Sequence, residues 1–241
     1  SSFAGTPVTT TYTPNITPVE PTGTPTTSEG VQGQPQEGTP TFTQGDDKVP
    51  MKIDNEQPAK LINPDTGNPT DETTIPAKDD KGNTVGTYTI EPTTGKVTFT
   101  PNKDFVGTPV PATVQAKDAN GTPTTAKYTP TVTPVVPTAE PAETTDIQGK
   151  EQTGKPTFTP GADEVPMDDD TPATFEDGSK EKVIPGEGTY TVAPDGTVKF
   201  TPEKNFTGKG TGVTVKRVDK NGTPVTAKYT PTVTPVTPEG T

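Results

Sequence analysis

One eight-residue phrase occurs three times in this chain, and its spacing constrains the fold more than any other feature. The phrase is Tyr-Thr-Pro-x-(Val/Ile)-Thr-Pro-Val, and it occupies residues 12–19, 128–135 and 229–236. The copies are 128 − 12 = 116 and 229 − 128 = 101 residues apart. Such repetition indicates an array of similar modules. Each spacing is close to the commonest domain size, roughly 100 to 150 residues.

The two full copies differ by one insertion. Matching residues are 116 positions apart as far as residue 51 and 101 positions apart from residue 97 onward. The first copy therefore carries 116 − 101 = 15 extra residues, which we place near residues 52–86. We expect them to lengthen loops and to leave the core unchanged.

The composition raises the question of whether each copy can build a core. Only 24% of the residues are apolar, and the chain has 32 Pro and 24 Gly, which approaches the level of disordered chains. The large apolar residues nevertheless alternate with polar ones, which is typical of half-buried strands. We therefore predict a thin core between two sheets. In the second copy its expected members are Ile147, Phe158, Val165, Phe175, Ile184, Tyr190, Val192, Val198, Phe200, Phe206, Val213, Val215, Val218, Val225, Tyr229 and Val233.

Turn signals separate the alternating runs. Residues 92–95 and 194–196 lie between one pair of runs, and residues 118–121 and 219–222 between the next, and each turn contains a glycine. Asn-Gly and Asp-Gly supply the positive φ that tight hairpins need. Helix is disfavoured throughout by Pro and Thr. The predicted fold class is all-β, with tandem Ig-like antiparallel β-sandwich modules in an elongated arrangement.

The repeated phrase itself predicts a strand. In a strand, Tyr229, Pro231 and Val233 share one face, and the missing proline N–H groups fall on one lateral side. We therefore expect the last strand of each repeat to be an edge strand that pairs on one side through its threonines. The alternative is a polyproline-like linker without a partner strand.

The repeats divide the chain into three parts. We predict a closing strand of an upstream repeat, or a linker, at 1–23, a first module at 24–138 and a second at 139–241. Around residues 136–141 a Pro-rich joint should hold the neighbouring modules apart. The position of the module boundary relative to the Tyr-Thr-Pro strand stays open, because this strand either ends one module or begins the next.

Charge and composition exclude several classes of partner. The net charge is −12 and the pI about 4.5, which disfavours nucleic acid and anionic membrane surfaces. The sequence has no run of about 20 apolar residues, so insertion into a membrane is not predicted. There is no Cys, so disulfides are excluded, and a bacterial exterior fits better than a eukaryotic secretory pathway. We expect export and anchoring signals to lie outside this segment.

No catalytic residue, cofactor or metal is predicted, and we interpret the chain as a non-enzyme. The lack of His and Cys excludes the usual nucleophile pairs and zinc sites. Paired carboxylates could serve a glycosidase, but the acids lie in turns and linkers, with no sign of a large pocket. Ligand-binding residues stay unknown.

Calcium is the strongest metal candidate. Possible ligands are Asp168–Asp170, Asp46–Asp47, Asp79–Asp80 and the run Asp118-x-Asn120-Gly121. A complete calcium loop needs Glu at its twelfth position, where this chain has Thr129 or, in the second copy, Thr230. We therefore favour hairpin turns and solvated acidic loops.

Two covalent modifications are also open. A Lys-Asn or Lys-Asp isopeptide bond could replace a disulfide, but ordinary surface charge is favoured for the lysines. The sequon Asn205-Phe206-Thr207 would matter only in a eukaryotic secretory context.

The second copy combines several short motifs. They are Val198-Lys-Phe-Thr-Pro202, Asn205-Phe-Thr-Gly208, Gly212-Val-Thr-Val215, Asp219-x-Asn-Gly-Thr223 and the closing Tyr-Thr-Pro phrase. In combination they resemble the CshA-type fibril repeat of Gram-positive, mainly streptococcal, cell-surface fibrillar adhesins. The first copy repeats the pattern with Phe105-Val-Gly107 and Asp118-Ala-Asn-Gly-Thr122, but its 15-residue insertion departs from it.

The resemblance implies a stalk of tandem β-domains, anchored to the cell wall through regions outside this segment, which projects a distal adhesive region from the cell. It implies neighbouring repeats as partners, a host or bacterial ligand bound by other regions, and monomeric isolated repeats. A different reading is that the repeats themselves bind a host protein, a glycan or a neighbouring fibril through variable loops, notably 52–86. Exposed aromatic residues would favour that alternative.

Overall fold

The computed structural model describes residues 5–238, and every regular element in that range is a β-strand. We call the strands β1–β12 module 1 and the strands β13–β23 module 2. The strands of module 1 are β1 (Thr22–Thr24), β2 (Thr26–Val31), β3 (Gln36–Gly38), β4 (Thr41–Thr43), β5 (Met51–Lys52), β6 (Lys60–Ile62), β7 (Pro69–Thr70), β8 (Thr74–Lys78), β9 (Thr84–Ile90), β10 (Val97–Pro101), β11 (Ala112–Asp118) and β12 (Pro123–Thr133). Those of module 2 are β13 (Thr138–Glu140), β14 (Ala142–Ile147), β15 (Gln152–Gly154), β16 (Thr157–Thr159), β17 (Thr174–Phe175), β18 (Glu181–Ile184), β19 (Gly188–Val192), β20 (Val198–Pro202), β21 (Gly208–Lys209), β22 (Val213–Val218) and β23 (Pro224–Thr234). Within residues 5–238 no helix could span a membrane.

Each module is a β-sandwich, as the alternating pattern predicts. In module 1 a sheet ordered β3-β10-β9-β8 faces a sheet ordered β2-β12-β11-β6-β7, with β5 added to β11. Module 2 repeats this with β15-β20-β19-β18 and β14-β23-β22-β17, with β21 added to β23. A two-stranded ribbon, β1-β4 or β13-β16, completes each module. The pairs β2–β12 and β14–β23 are parallel, and all other named pairs are antiparallel.

The core of each module lies between its two main sheets and is built around aromatic rings. In module 2 the Tyr190 ring is 4.5 Å from that of Phe200 and 6.5 Å from that of Tyr229 on the opposite sheet. All three side chains are fully buried. Module 1 repeats the arrangement with Tyr88, Phe99 and Tyr128. These rings supply most of the large apolar surface in a chain that has few large residues.

One predicted core residue is wrong. Ile147 is 51% exposed, because along β14 the residues of the other parity, such as Thr144 and Asp146, turn toward the interior. Ile147 lies opposite the exposed Thr234 in the register of β14 and β23. Among the other predicted members, Phe158, Ile184, Phe206, Val218 and Val225 are half-buried and the remaining ten are buried.

The prediction that the closing strand is an edge strand is wrong. β12 pairs with β11 through its first half, up to Tyr128, and with β2 through its second half. β23 pairs in the same way with β22 and β14. A proline lacks the N–H donor, but its carbonyl still accepts, and the Gly210 N–H donates to the Pro231 carbonyl at 2.8 Å. The apolar face was predicted correctly, since Tyr229, Pro231 and Val233 are all buried.

The four predicted turns are hairpins. The turn at 92–95 joins β9 to β10 and the turn at 118–121 joins β11 to β12, with φ of 79° at Gly95 and 80° at Gly121. The corresponding turns of module 2 have φ of 94° at Gly196 and 81° at Gly222. Positive φ falls on the glycines alone in the described residues, because L side chains disfavour that region.

Residues 52–86, where we expect the insertion, contain both shared and extra structure. β6 corresponds to β17, because Leu61 lies opposite Val114 as Phe175 lies opposite Val215, and β8 corresponds to β18. Most of the extra residues lie in the β6–β7 hairpin and in the turn between β8 and β9, where residues 64–69 and 80–84 are exposed. The insertion therefore lengthens loops and leaves the shared core positions in place, as expected.

Strand pairing changes from one module to the other between Thr133 and Thr138. In both modules the Tyr-Thr-Pro strand is the last strand in chain order, and its partner strands belong to the same module. Its first copy, residues 12–19, forms no strand. The boundaries 24–138 and 139–241 stay predictions.

Candidate functional site

The acidic runs predicted as possible calcium ligands bind protein groups instead. Asp168 accepts hydrogen bonds from the Thr171 hydroxyl at 2.8 Å and from the Lys220 ammonium at 3.1 Å. These bonds, the Thr171 bond foremost, lower the pKa of the Asp168 carboxyl. Asp169 pairs with Arg217 at 2.9 Å. Arg217 and Asp168 are half-buried, but their partners Asp169 and Lys220 are exposed, so solvent screens both pairs and their contribution to stability is small.

The other acidic runs are turn residues. Asp79 accepts from the backbone N–H of Asn83 at 2.8 Å and from its side chain at 3.1 Å, which lowers the pKa of the Asp79 carboxyl. Asp46 accepts from the N–H of Lys48 at 2.8 Å. Across the described part of the chain, no three acidic side chains converge as metal ligands would.

Asp118 and Asp219 are the acidic residues that the sequence analysis undervalued. Both are 0% exposed. The Asp219 Oδ1 atom accepts from the N–H groups of Asn221 and Thr223, each at 2.9 Å, and so fixes the turn from β22 to β23. Asp118 does the same in module 1. In both residues the Oδ2 atom has no hydrogen-bond partner among the described residues. The repeated Asp-x-Asn-Gly-Thr motif was the available signal.

An isopeptide cross-link gains no support from the positions of the lysines. Every lysine within residues 5–238 is exposed or half-exposed, whereas such a bond needs a lysine buried beside its acceptor. The sequon residue Asn205 is exposed in the loop between β20 and β21.

A buried polar network ties the closing strand to its parallel neighbour. Tyr128 lies 2.6 Å from the Ser28 hydroxyl, which donates to Gln36 at 2.7 Å. The Gln36 amide then donates to the Thr131 carbonyl at 2.9 Å. Thr144 and Gln152 play these parts around Tyr229 in module 2. Because every member is paired, the network stabilises the sandwich and offers no free group for chemistry.

The modules differ around their central tyrosines. In module 1 Tyr88 donates to the Val110 carbonyl at 2.7 Å. In module 2 Tyr190 donates at 2.6 Å to Glu187, whose other oxygen accepts twice from Thr211 at 2.8 Å. Burial first, and then the bond to Glu187, raises the pKa of Tyr190 above its ordinary value of 10.0. Glu187 is thereby held in place as an acceptor, so it is a structural carboxylate.

An apolar groove of about 380 Å³ lies on module 1 beside the insertion. Its floor is formed by Ile62, Ile75, Tyr88 and Val110, and we call it the module 1 groove. Its rim carries acidic and basic side chains, namely Asp65, Lys78, Asp79, Asp80 and Lys127. A shallow apolar depression of this kind could take a hydrophobic side chain of a partner.

Two β-sandwich modules in series, with their acidic residues engaged in turns and ion pairs, define a tandem-repeat β protein. A family model described as the surface adhesin CshA repetitive domain matches residues 18–132 and 134–233. The chain therefore belongs to this family. It is a surface-adhesin repeat, and its place is the extracellular side of the cell surface.

Solved structures with likeness to the chain include repeat domain 13 of the fibrillar adhesin CshA from Streptococcus gordonii. It is 68% identical over 29% of this chain and 90% of its own length, with a TM-score of 0.18. Two tandem-domain structures are also similar. The titin domains z1z2 in complex with telethonin are 12% identical over 92% of this chain and all of theirs, with a TM-score of 0.42. Mouse cadherin-23 EC22-24 is 13% identical over 90% of this chain, with a TM-score of 0.33, and the chain spans 65% of its length. No curated protein matches the chain.

Proposed function

We propose that this chain is a segment of the stalk of a cell-wall-anchored fibrillar adhesin, in which it spaces a distal adhesive region from the cell. The observation that carries the proposal is that two closed sandwiches follow each other in series. They share no strand among the described residues, and only residues 134–137 separate β12 from β13. In such an arrangement, each added module increases the distance between the cell and the distal adhesive region.

The composition supports the same role. Each module closes its own core, so repeats can be added or removed without rebuilding their neighbours. The net charge of −12 opposes lateral association of neighbouring stalks. We propose two modules that correspond to the predicted ranges 24–138 and 139–241 but begin with β1 at Thr22 and with β13 at Thr138. The residues before β1 belong to the closing segment of an upstream repeat or to a linker. Anchoring and ligand binding belong to other regions of the parent protein, and these modules carry no catalytic activity.

A deletion and a competition experiment test the proposal together. Removing residues 22–137 in frame from the parent protein should shorten the surface fibrils seen by electron microscopy, because it deletes β1–β12 and joins Pro21 directly to Thr138. The purified 241-residue chain should leave adhesion of the wild-type cells unchanged. Fibrils of unchanged length, or adhesion blocked in proportion to added chain, would contradict a stalk.

The module 1 groove favours one alternative, in which this module itself binds a partner. Val110 is 45% exposed at the groove, so Val110→Glu places a charge there at little expected loss of stability. Val183→Glu is the matched control, since Val183 is 60% exposed on module 2. If the purified chain blocks adhesion, and Val110→Glu but not Val183→Glu abolishes the block, the groove is a binding site.

A further inference from the structure

The two modules touch at points beyond the covalent link between them. The Asn221 side chain of module 2 donates to the Gln32 carbonyl of module 1 at 3.0 Å. The Gln34 side chain donates to the Glu164 carbonyl at 3.2 Å. The contact therefore joins the loop after β2, residues 32–34, to the turn between β22 and β23 and to the loop between β16 and β17.

Gln32 fixes that loop to its own module and to the connecting segment. Its side chain is 7% exposed. The amide donates to the Lys103 carbonyl at 2.8 Å, and Oε1 accepts from the Val135 N–H at 3.1 Å. Its backbone N–H donates to the Thr133 carbonyl at 2.8 Å. The first half of the connecting segment is thus held by module 1.

The second half of the segment is held by module 2. Val135 is 2% exposed, and Pro137 is buried. The backbone of Val136 passes so close to Gly161 that a Cβ there would lie 2.5 Å from the Val136 carbonyl oxygen. Alternate residues of the segment are therefore packed, Val135 and Pro137 inside and Pro134 and Val136 outside, which leaves it little freedom to act as a hinge.

The turn that carries Asn221 is itself preorganised. The buried Asp219 carboxylate holds its backbone, as described above, and the Lys220 N–H donates to the Pro166 carbonyl at 2.9 Å. Two intermodular hydrogen bonds are weak in isolation, but a short connection gives them a high effective concentration. Because both partners are rigid before they meet, little ordering entropy opposes the contact.

The free ends of the two modules carry most of the same parts without the contact, although Lys150 stands at the position of Gln34. Val236, the counterpart of Val135, is 52% exposed. Gln148, the counterpart of Gln32, makes the same two bonds, to the Lys204 carbonyl at 3.1 Å and from the Val236 N–H at 3.3 Å. At the other end Asn120, the counterpart of Asn221, is exposed.

We propose that these contacts form a rigid joint that fixes the orientation of successive modules, and that the parts at the free ends are half-joints for further modules of the same repeat. The inference rests on the proposed function, because a fixed joint has this use only where modules stand in series. The occupant of each half-joint is another repeat in the same chain, since the sequence Thr-Pro-Val-x-Pro recurs at residues 17–21, 133–137 and 234–238.

Two glycines provide a matched test. Gly33 and Gly149 occupy the same loop position in the two modules, with φ of 84° and 81°, so alanine strains both loops equally. A Cβ on Gly33 would overlap Asn221 Oδ1, whereas a Cβ on Gly149 meets nothing within 4 Å. Gly33→Ala should therefore break the joint and Gly149→Ala should leave it intact.

Spin-label distances report the orientation directly. The chain has no native Cys, so Thr100→Cys and Thr201→Cys place one label on an exposed strand position of each module. Pulsed electron paramagnetic resonance should give one narrow distance peak for the doubly labelled chain without further changes (the parent) and for its Gly149→Ala variant. The Gly33→Ala variant should lose that peak. A broad distribution in the parent, or an equally narrow one in Gly33→Ala, would overturn the joint.

A second pair of variants tests the joint if the glycine variants misfold. Asn221→Ala and Asn120→Ala change the same position of the same turn, but only Asn221 reaches the other module. The joint is supported if the spin-label distance distribution broadens in Asn221→Ala and not in Asn120→Ala. It is overturned if the two variants give the same distribution. A flexible chain whose modules still stand in series would refute the joint while leaving the stalk function intact.

The half-joint is tested by adding a module. When a second copy of residues 138–238 follows Pro238, Gly149 becomes a joint position. Gly149→Ala should then broaden distances between the second and third modules while the first pair stays narrow. Unchanged distances across the new junction would refute the half-joint.

Discussion

Truncating Phe200 to alanine should unfold module 2 selectively. The Phe200 side chain is fully buried between the sheets. Its ring centroid lies 4.5 Å from that of Tyr190 and 6.4 Å from that of Phe206. The variant removes the centre of this aromatic cluster and leaves a cavity that the surrounding strands can fill only in part.

The magnitude is large for a module of this size. Phe→Ala in a core costs about 3–5 kcal/mol of the free energy of unfolding. A domain of about 100 residues has a total of about 5–15 kcal/mol. Each lost kcal/mol lowers the midpoint by about 4–8 °C in domains of this size, so we expect a drop of at least about 12 °C.

Scanning calorimetry with NMR should resolve the effect. Because no strand is shared between the modules in the described residues, Phe200→Ala should lower one thermal transition and leave the amide signals of module 1 in place. Phe99→Ala, at the same core position of module 1, should do the reverse. A single transition that moves equally in both variants, or a shift of a few degrees only, would refute the description of two separately closed cores.

Three further predictions concern buried groups. Burial raises the pKa of Tyr88 and Tyr190 above the ordinary 10.0, so the neutral phenols contribute stability that is complete below pH 10 and lost as the pH rises further. In a Tyr12→Phe background, which removes the exposed tyrosine, phenolate absorbance should appear together with loss of near-UV circular dichroism, and not in the folded state. Gly154→Ala pushes a Cβ into the Tyr229 ring and should cost about 1–3 kcal/mol in urea unfolding, and a neutral result would contradict the close packing. Asp219→Ala leaves two backbone N–H groups unpaired and should cost about 1–3 kcal/mol, whereas Asp219→Asn, which keeps an acceptor, should cost less.

The features that could be predicted from the sequence are those set by neighbouring residues. Side-chain parity is a local property of a strand, so Tyr190, Val192, Val198 and Phe200 were correctly placed in the core. Hairpin turns are equally local, because a glycine at the right offset supplies the positive φ. The surface-adhesin role could also be predicted from local features, because the family resemblance depends on short motifs that occur in a fixed order.

The features that were missed depend on distant parts of the chain. β2 pairs in parallel with β12, about a hundred residues away, with Thr26 opposite Tyr128. The sequence of neither strand indicates a parallel partner. The prolines predicted a free edge because only their missing donors were considered, while the Pro231 carbonyl still accepts. The buried Asp219 looked like one more solvated acid, since burial is decided by the strands that fold over the turn.

Small-angle scattering of the 241-residue chain tests the stalk most directly. One compact domain of this length should have a radius of gyration of about 18 Å. Two modules of about 13 Å each, standing in series, should give about 22 Å or more and a two-lobed distance distribution. We predict the larger value, and a single compact particle near the smaller value would contradict the account of modules that provide reach.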